Sequence, residues 1–222
     1  MLKSLLNRFR GKDQQDIKPA VPATPELLGM RLGGAVELND IKLRMIEDST
    51  TFKSVNKIQL IQAVGAVKLD EETSALRFYT DDDGFFQFIL EGGTTENHIS
   101  DGKLWFFYDT YGIGNSAEWD RQLEQGISQP TYSLEDHEFT RLWKTVGEHN
   151  PPVAMRETTY SENGTQSETD QFIMLYEREA SDSLIEYLMV SGEERIVEDN
   201  LDRCLVVSTG IDITLSDFSV IG

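Results

Sequence analysis

The chain's 222 residues carry 39 Asp and Glu against 20 Lys and Arg, a formal net charge of −19. That acidity argues against nucleic acid as a partner, since such affinity rests on Lys and Arg at phosphates, and favours solubility and cationic partners. No apolar run approaches the ~18 residues that span a bilayer, and the single cysteine, Cys204, excludes an internal disulfide.

The N-terminus is electrically distinct. Lys3, Arg8, Arg10 and Lys12 make residues 1–12 basic, with no acid among them. Leu2, Leu5, Leu6 and Phe9 fall at i, i+3, i+4 and i+7, one face of a helix, and Gly11 marks its end. The expectation is an amphipathic helix that meets an anionic membrane surface or a partner protein through Leu2, Lys3, Leu5, Leu6, Arg8, Phe9 and Arg10. No long apolar stretch or small-residue cleavage site follows, so a cytoplasmic protein is expected, peripheral at the inner membrane through this helix. Pro19, Pro22 and Pro25 mark residues 13–25 as an extended linker, which leaves 26–222 as one body.

Strand signals dominate the body. Residues 58–69, 76–80, 85–91 and 104–108 are rich in β-branched, aromatic and aliphatic side chains, and Asp81-Asp82-Asp83-Gly84 turns the second into the third. Phe85-Phe86-Gln87-Phe88-Ile89-Leu90 is almost unbroken apolar, which predicts burial on both faces. Two helices are expected next. The first spans 117–125 behind an Asn115 or Ser116 cap. The second starts near Ser133, with Asp136 completing a capping-box pattern and Phe139, Leu142, Trp143 and Val146 forming its stripe before Gly147. After Pro151-Pro152, strands are expected at 155–160, 171–177, 184–190, 204–208 and 211–215. Alternating βαβ units are absent, so the fold class is α+β, mainly antiparallel sheet with two central helices. Gln87-Phe88-Ile89-Leu90-Glu91 is echoed by the stretch from Gln171 to Glu177, which suggests internal duplication of a β-hairpin unit; two buried strands that look alike are the alternative.

Few residue patterns carry chemistry. Gly112-Ile113-Gly114-Asn115-Ser116-Ala117 has the spacing of a pyrophosphate-binding turn, but no second parallel strand follows it. With Gly84 as the sixth position of a calcium loop, Tyr79 and Leu90 fall where carboxylates are required. His98, His137 and His149 are unpaired, so neither metal nor cofactor is expected. No nucleophile-elbow motif occurs, and Cys204 opens an apolar strand without a neighbouring base. Trp105, Tyr108, Asp109, Tyr111, Trp119 and Asp120 place aromatic rings beside carboxylates, a candidate site for a small organic cation such as a polyamine. Core packing explains the same residues equally well.

Leu27-Leu28-Gly29-Met30-Arg31-Leu32-Gly33-Gly34-Ala35-Val36-Glu37-Leu38, Tyr108-Asp109-Thr110, Glu118-Trp119-Asp120-Arg121, Arg141-Leu142-Trp143, Arg156-Glu157-Thr158-Thr159-Tyr160 and Leu175-Tyr176-Glu177-Arg178 together resemble the YjfK-like family of uncharacterised bacterial proteins, across most of residues 26–195. The resemblance implies no activity and no catalytic residues. It does imply a setting, because such genes lie near those for phage-shock-A-like coiled-coil proteins, small membrane proteins and polyamine-linked ligases. The function expected is therefore a non-enzymatic cytoplasmic binding or adaptor protein linked to envelope stress. The alternative is a binder of, or an enzyme acting on, a small cationic, polyamine-like ligand.

Overall fold

The computed structural model describes residues 23–52, 55–143 and 149–221. The expected N-terminal helix, most of the Pro-rich linker, and the Val146 and Gly147 end of the second expected helix lie outside the described residues. A short strand β1 (Ala35–Leu38) and helix α1 (Asp40–Ile46) lead into an antiparallel meander: β2 (Ile58–Lys68), β3 (Thr73–Thr80), β4 (Gly84–Glu91) and β5 (Ile99–Gly112). Helix α2 (Ser116–Arg121), a π-helical turn at Gln122–Gly126, and the hairpin β6 (Thr131–Leu134) and β7 (His137–Arg141) follow. A second antiparallel meander comprises β8 (Val153–Ser161), β9 (Gln166–Ser181), β10 (Leu184–Val197) and β11 (Asn200–Asp212), and β12 (Phe218–Ile221) pairs with β1.

The two meanders join at both ends. Strand β5 pairs with β11, and β2 pairs with β8. Eight antiparallel strands thus close into a barrel, which removes their free edges and leaves an interior wide enough for side chains and one small ligand. Register shifts at Ile61/Ala63, Ile89/Leu90 and Val207/Ser208 supply the local bending that closure needs.

Strand alternation then builds two outer cores. Phe78, Phe86, Phe88, Leu90 and Leu104 point out of the first meander and are covered by Leu27, Met30, Val36, Leu38, Leu43 and Phe52. Each fully buried side chain of this kind contributes roughly 1.5–3 kcal/mol. Met174, Tyr176, Leu188, Val190 and Val207 point out of the second meander and meet Ile127, Leu134 and Phe139. The Tyr176 hydroxyl donates to the carbonyls of Ile127 and Gln129, which ties the π-turn segment to β9. The apolar run of β4 is buried on both faces as expected: Phe86, Phe88 and Leu90 face the outer core, Phe85 the inner one.

The fold is α+β and mainly antiparallel with two α-helices, but one of these is α1, which the sequence reading did not anticipate. Only Leu43 of α1 is buried, while Ile41 and Met45 are exposed, so it shows no apolar stripe. Helix α2 begins as expected, with the Asn115 side chain accepting the Glu118 N–H at 2.9 Å. The helix expected from Ser133 is a correction. Residues 131–141 form the β6–β7 hairpin, with Glu135 at φ 51° in its two-residue turn. Phe139 and Arg141 are buried two apart, the strand period, and β7 adds to β9 through Thr140 and Arg141. Apolar spacing over so short a window fits either period, and tertiary pairing decided it. The echo also resolves. Strand β4 is third in its meander and β9 is second in the other, so the two segments are not equivalent, although the meanders share one topology. Their likeness reflects burial on both faces.

Candidate functional site

Alternate residues of all eight barrel strands face inward. Phe85, Trp105, Ile173 and Met189 pack across the middle of the lumen. Gly210 admits Trp105, because a Cβ there would lie 2.6 Å from the indole ring. Beyond this plug lies an open cavity of about 250 Å³ whose wall mixes polar with aromatic and aliphatic side chains.

Arg77 of β3, 4% exposed, organises that wall. Its Nε donates to Gln87 Oε1 at 2.9 Å, and its Nη1 donates to Glu157 Oε2 at 3.0 Å and Gln171 Oε1 at 2.8 Å. The Tyr79 hydroxyl donates to Glu157 at 2.8 Å, and Gln171 Nε2 donates to Glu157 at 2.9 Å and to Glu193 Oε1 at 3.2 Å. Both glutamines of the sequence echo therefore bind the same guanidinium. Gly65 of β2 makes the arrangement possible, since a Cβ there would fall 1.7 Å from Glu157 Oε1. Burial, and then the Glu157 charge, hold the Tyr79 phenol well above its usual range, so it stays a donor.

Glu193 of β10 sits beside this network. Burial and then the neighbouring Glu157 charge raise its carboxyl pKa above 4.5, against the opposing pull of Arg77. Ser191, two residues earlier on the same face and 3% exposed, lies beside Glu193 without a bond of hydrogen-bonding geometry, and its hydroxyl has no partner among the described residues. The Trp105 Nε1–H likewise has no acceptor among the described residues. Cys204 is half-buried, and burial together with Glu193 pushes its thiol up to about 11, the state of an unreactive cysteine. Aromatic rings border the cavity: Tyr79 stacks on Phe107 at 6.3 Å and 3°, and Phe107 is 41% exposed. Among the described residues, no three His, Cys, Asp or Glu side chains group as metal ligands would. Asp81 and Asp82 are engaged otherwise: Asp81 accepts the Leu60 N–H, and Asp82 accepts from Asn56 and Gln59.

The family described as "Protein of unknown function (DUF2491)" matches residues 5–219. The chain belongs to the DUF2491 family. It is 27% identical over 224 residues to the uncharacterized protein YjfK of Escherichia coli K12, covering the full length of both chains. The YjfK-like resemblance is thus correct. No solved structure matches the chain, and no helix among its described residues is long and apolar enough to cross a membrane.

In this DUF2491 protein the aromatic and acidic residues singled out from the sequence do not meet in one pocket. Trp105 is fully buried in the barrel's inner core. Trp119 lies on the outer side, edge-on to Phe172, against Gly192 and beneath the Arg203 guanidinium. Tyr108, Asp109 and Tyr111 share the exposed end of β5, where the Tyr108 hydroxyl donates to Glu135 and the Asp109 carboxylate pushes the Tyr111 phenol up to about 12. Asp120 is exposed. Arg77, Glu157, Gln171 and Glu193 were missed. The available signal was a charged or amide side chain inside a strongly apolar strand, as in Ala75-Leu76-Arg77-Phe78.

The raised Glu193 carboxyl makes a pH prediction. The folded chain keeps a proton there that the unfolded chain has lost, so this residue's contribution to stability falls as pH rises from about 4.5 through the raised value. Glu193→Gln should therefore flatten the fall of the urea midpoint over that window and raise the midpoint at neutral pH. Parallel midpoint-against-pH curves for parent and variant would refute the assignment.

Proposed function

We propose that this protein is a non-enzymatic binding protein that takes a small polar molecule into the open end of its barrel. The observation that supports this is the cavity of about 250 Å³ inside a closed ring of strands, walled by hydrogen-bonding side chains that hold one another in place. At ~30 Å³ per water, it has room for about eight waters, or for a molecule of similar bulk. Glu157 is committed to Arg77, Tyr79 and Gln171, an arrangement suited to fixing a binding surface rather than to moving protons. The test is a thermal-shift panel of small amines, carboxylates, amino acids and sugars. Some compounds should stabilise the parent, and Thr159→Trp, which fills the cavity from β8, should abolish their effect. No stabilising compound, or equal stabilisation of the variant, would end this reading.

A second reading is the adaptor, carried by the amphipathic and basic pattern of residues 1–12. In it the segment docks weakly on an anionic surface of the inner membrane, in keeping with an accessory role in envelope stress. Each basic residue near anionic lipid contributes roughly 1 kcal/mol, and ordering a peptide shorter than the ~12–15 residues of a marginal helix opposes it. Full-length protein should pellet with anionic vesicles at low salt, less at high salt, and not at all once residues 1–12 are removed. Equal pelleting with and without the segment would exclude it.

A further inference from the structure

We infer that the barrel's occupant carries a positive charge: a small ammonium-bearing molecule whose nitrogen is received by Glu193 and the Ser191 hydroxyl. This rests on the reading of the lumen as a binding site. The inventory of charge facing the cavity carries the inference. Strand β3 contributes Arg77, β8 contributes Glu157, and β10 contributes Glu193 and Arg195. Arg77 and Glu157 neutralise each other at 3.0 Å, both almost wholly buried. Arg195 stands at the rim with its side chain 58% exposed, and Asp202 pairs with it at 2.9 Å. Glu193 remains. Among the described residues no Lys or Arg lies within ion-pair distance of it, and its hydrogen bond to the protein is the 3.2 Å contact from an uncharged amide, Gln171. A desolvated carboxylate is tolerated when a counter-charge meets it, and half-buried Glu193 has none at ion-pair distance among the described residues.

A second observation is independent of charge. The Ser191 hydroxyl is nine-tenths buried, lines the same cavity and has no partner among the described residues. An ammonium group carries three donors and no acceptor, so one group can satisfy both Glu193 and the Ser191 oxygen. The cavity's aromatic side, Tyr79, Phe85 and Phe107, presents ring faces that attract a cation. An anion would instead meet Glu193, the lining carboxylate left without an ion pair, while both lining guanidiniums are already paired.

The test uses three probes of one shape and different charge: n-butylamine, 1-butanol and butyrate, titrated into the full chain by calorimetry near neutral pH. The amine should bind at least ten-fold more tightly than the other two. Glu193→Gln should weaken the amine by about 30-fold or more, and Glu193→Asp by less, while the exposed Asp120→Asn should leave it unchanged. Circular dichroism confirms that each variant is folded. If butanol or butyrate binds as well as the amine, and Thr159→Trp removes that binding, the charge assignment is overturned and the lumen still stands as the site. The charge assignment also fails if the amine binds Glu193→Gln undiminished. If Thr159→Trp leaves all binding unchanged, the lumen reading itself fails.

Discussion

Arg77→Met is expected to lose about 3–5 kcal/mol of folding stability at neutral pH, the scale on which removing one partner of a buried ion pair destabilises a protein. Three acceptors lose their donor at once: Gln87, Glu157 and Gln171. Glu157, 2% exposed, and Glu193 are then left in one cavity with no buried cation. The penalty is large because the methionine can neither hydrogen-bond nor carry charge, while the carboxylates remain desolvated. It should also depend on pH with a definite sign. With the guanidinium gone, the opposing pull of Arg77 on Glu193 is lost, and the already raised Glu193 carboxyl of the folded variant holds its proton more tightly still. The deficit against the parent should therefore grow as pH rises above the ordinary carboxyl range and shrink below it. Adding Glu157→Gln removes a charge while keeping a partner for Tyr79 and Gln171, and should recover at least half of the loss. Urea midpoints of parent, single and double variants at about pH 5 and pH 7.5 measure all three effects. A single variant within about 1 kcal/mol of the parent at neutral pH would mean that the network does not hold the barrel as described.

Trp105→Ala should destabilise the barrel by about 3–5 kcal/mol, the range for emptying a large aromatic site. The ring is fully buried, 6.3 Å from Phe85 and 6.4 Å from Tyr187, and Gly210 leaves it room that no neighbour can readily refill. Trp105→Phe should be far milder, within about 1.5 kcal/mol. It gives up part of the ring volume but also removes an indole N–H that has no acceptor among the described residues, and an orphaned buried donor costs about 1–3 kcal/mol. Thermal melting of the two variants separates packing from polarity. Near-equal losses would show that the indole nitrogen has found a partner. The same placement changes what a Trp105 variant can report about ligands, since its first effect is on the plug that closes the cavity from within.

Much of the barrel's local structure was legible from residue order. The Asp81-Asp82-Asp83 turn, the Asn115 cap, the strand runs and the doubly buried stretch from Phe85 to Leu90 each depend on interactions within a few residues, where propensity and periodicity act. From them the sequence by itself determined an antiparallel, β-dominated α+β fold, and its composition a formal net charge of −19. It did not determine the state of residues 131–141. Phe139, Leu142 and Trp143 satisfy a helical stripe, and the competing strand is chosen by β9, more than thirty residues further along. Nor did it determine the site. Arg77 and Gln87 interrupt apolar runs, but Glu157 and Glu193 stand in polar stretches, Arg156-Glu157-Thr158 and Glu193-Glu194, that read as the solvent-facing side of a strand. Arg77 reaches Gln171 across 94 positions of sequence, a contact that exists only once β2 has met β8 and β5 has met β11. Closure turns what reads as a wet face into an interior, where burial couples the charges, raises the Glu193 carboxyl and makes a pocket of residues that local spacing could not bring together.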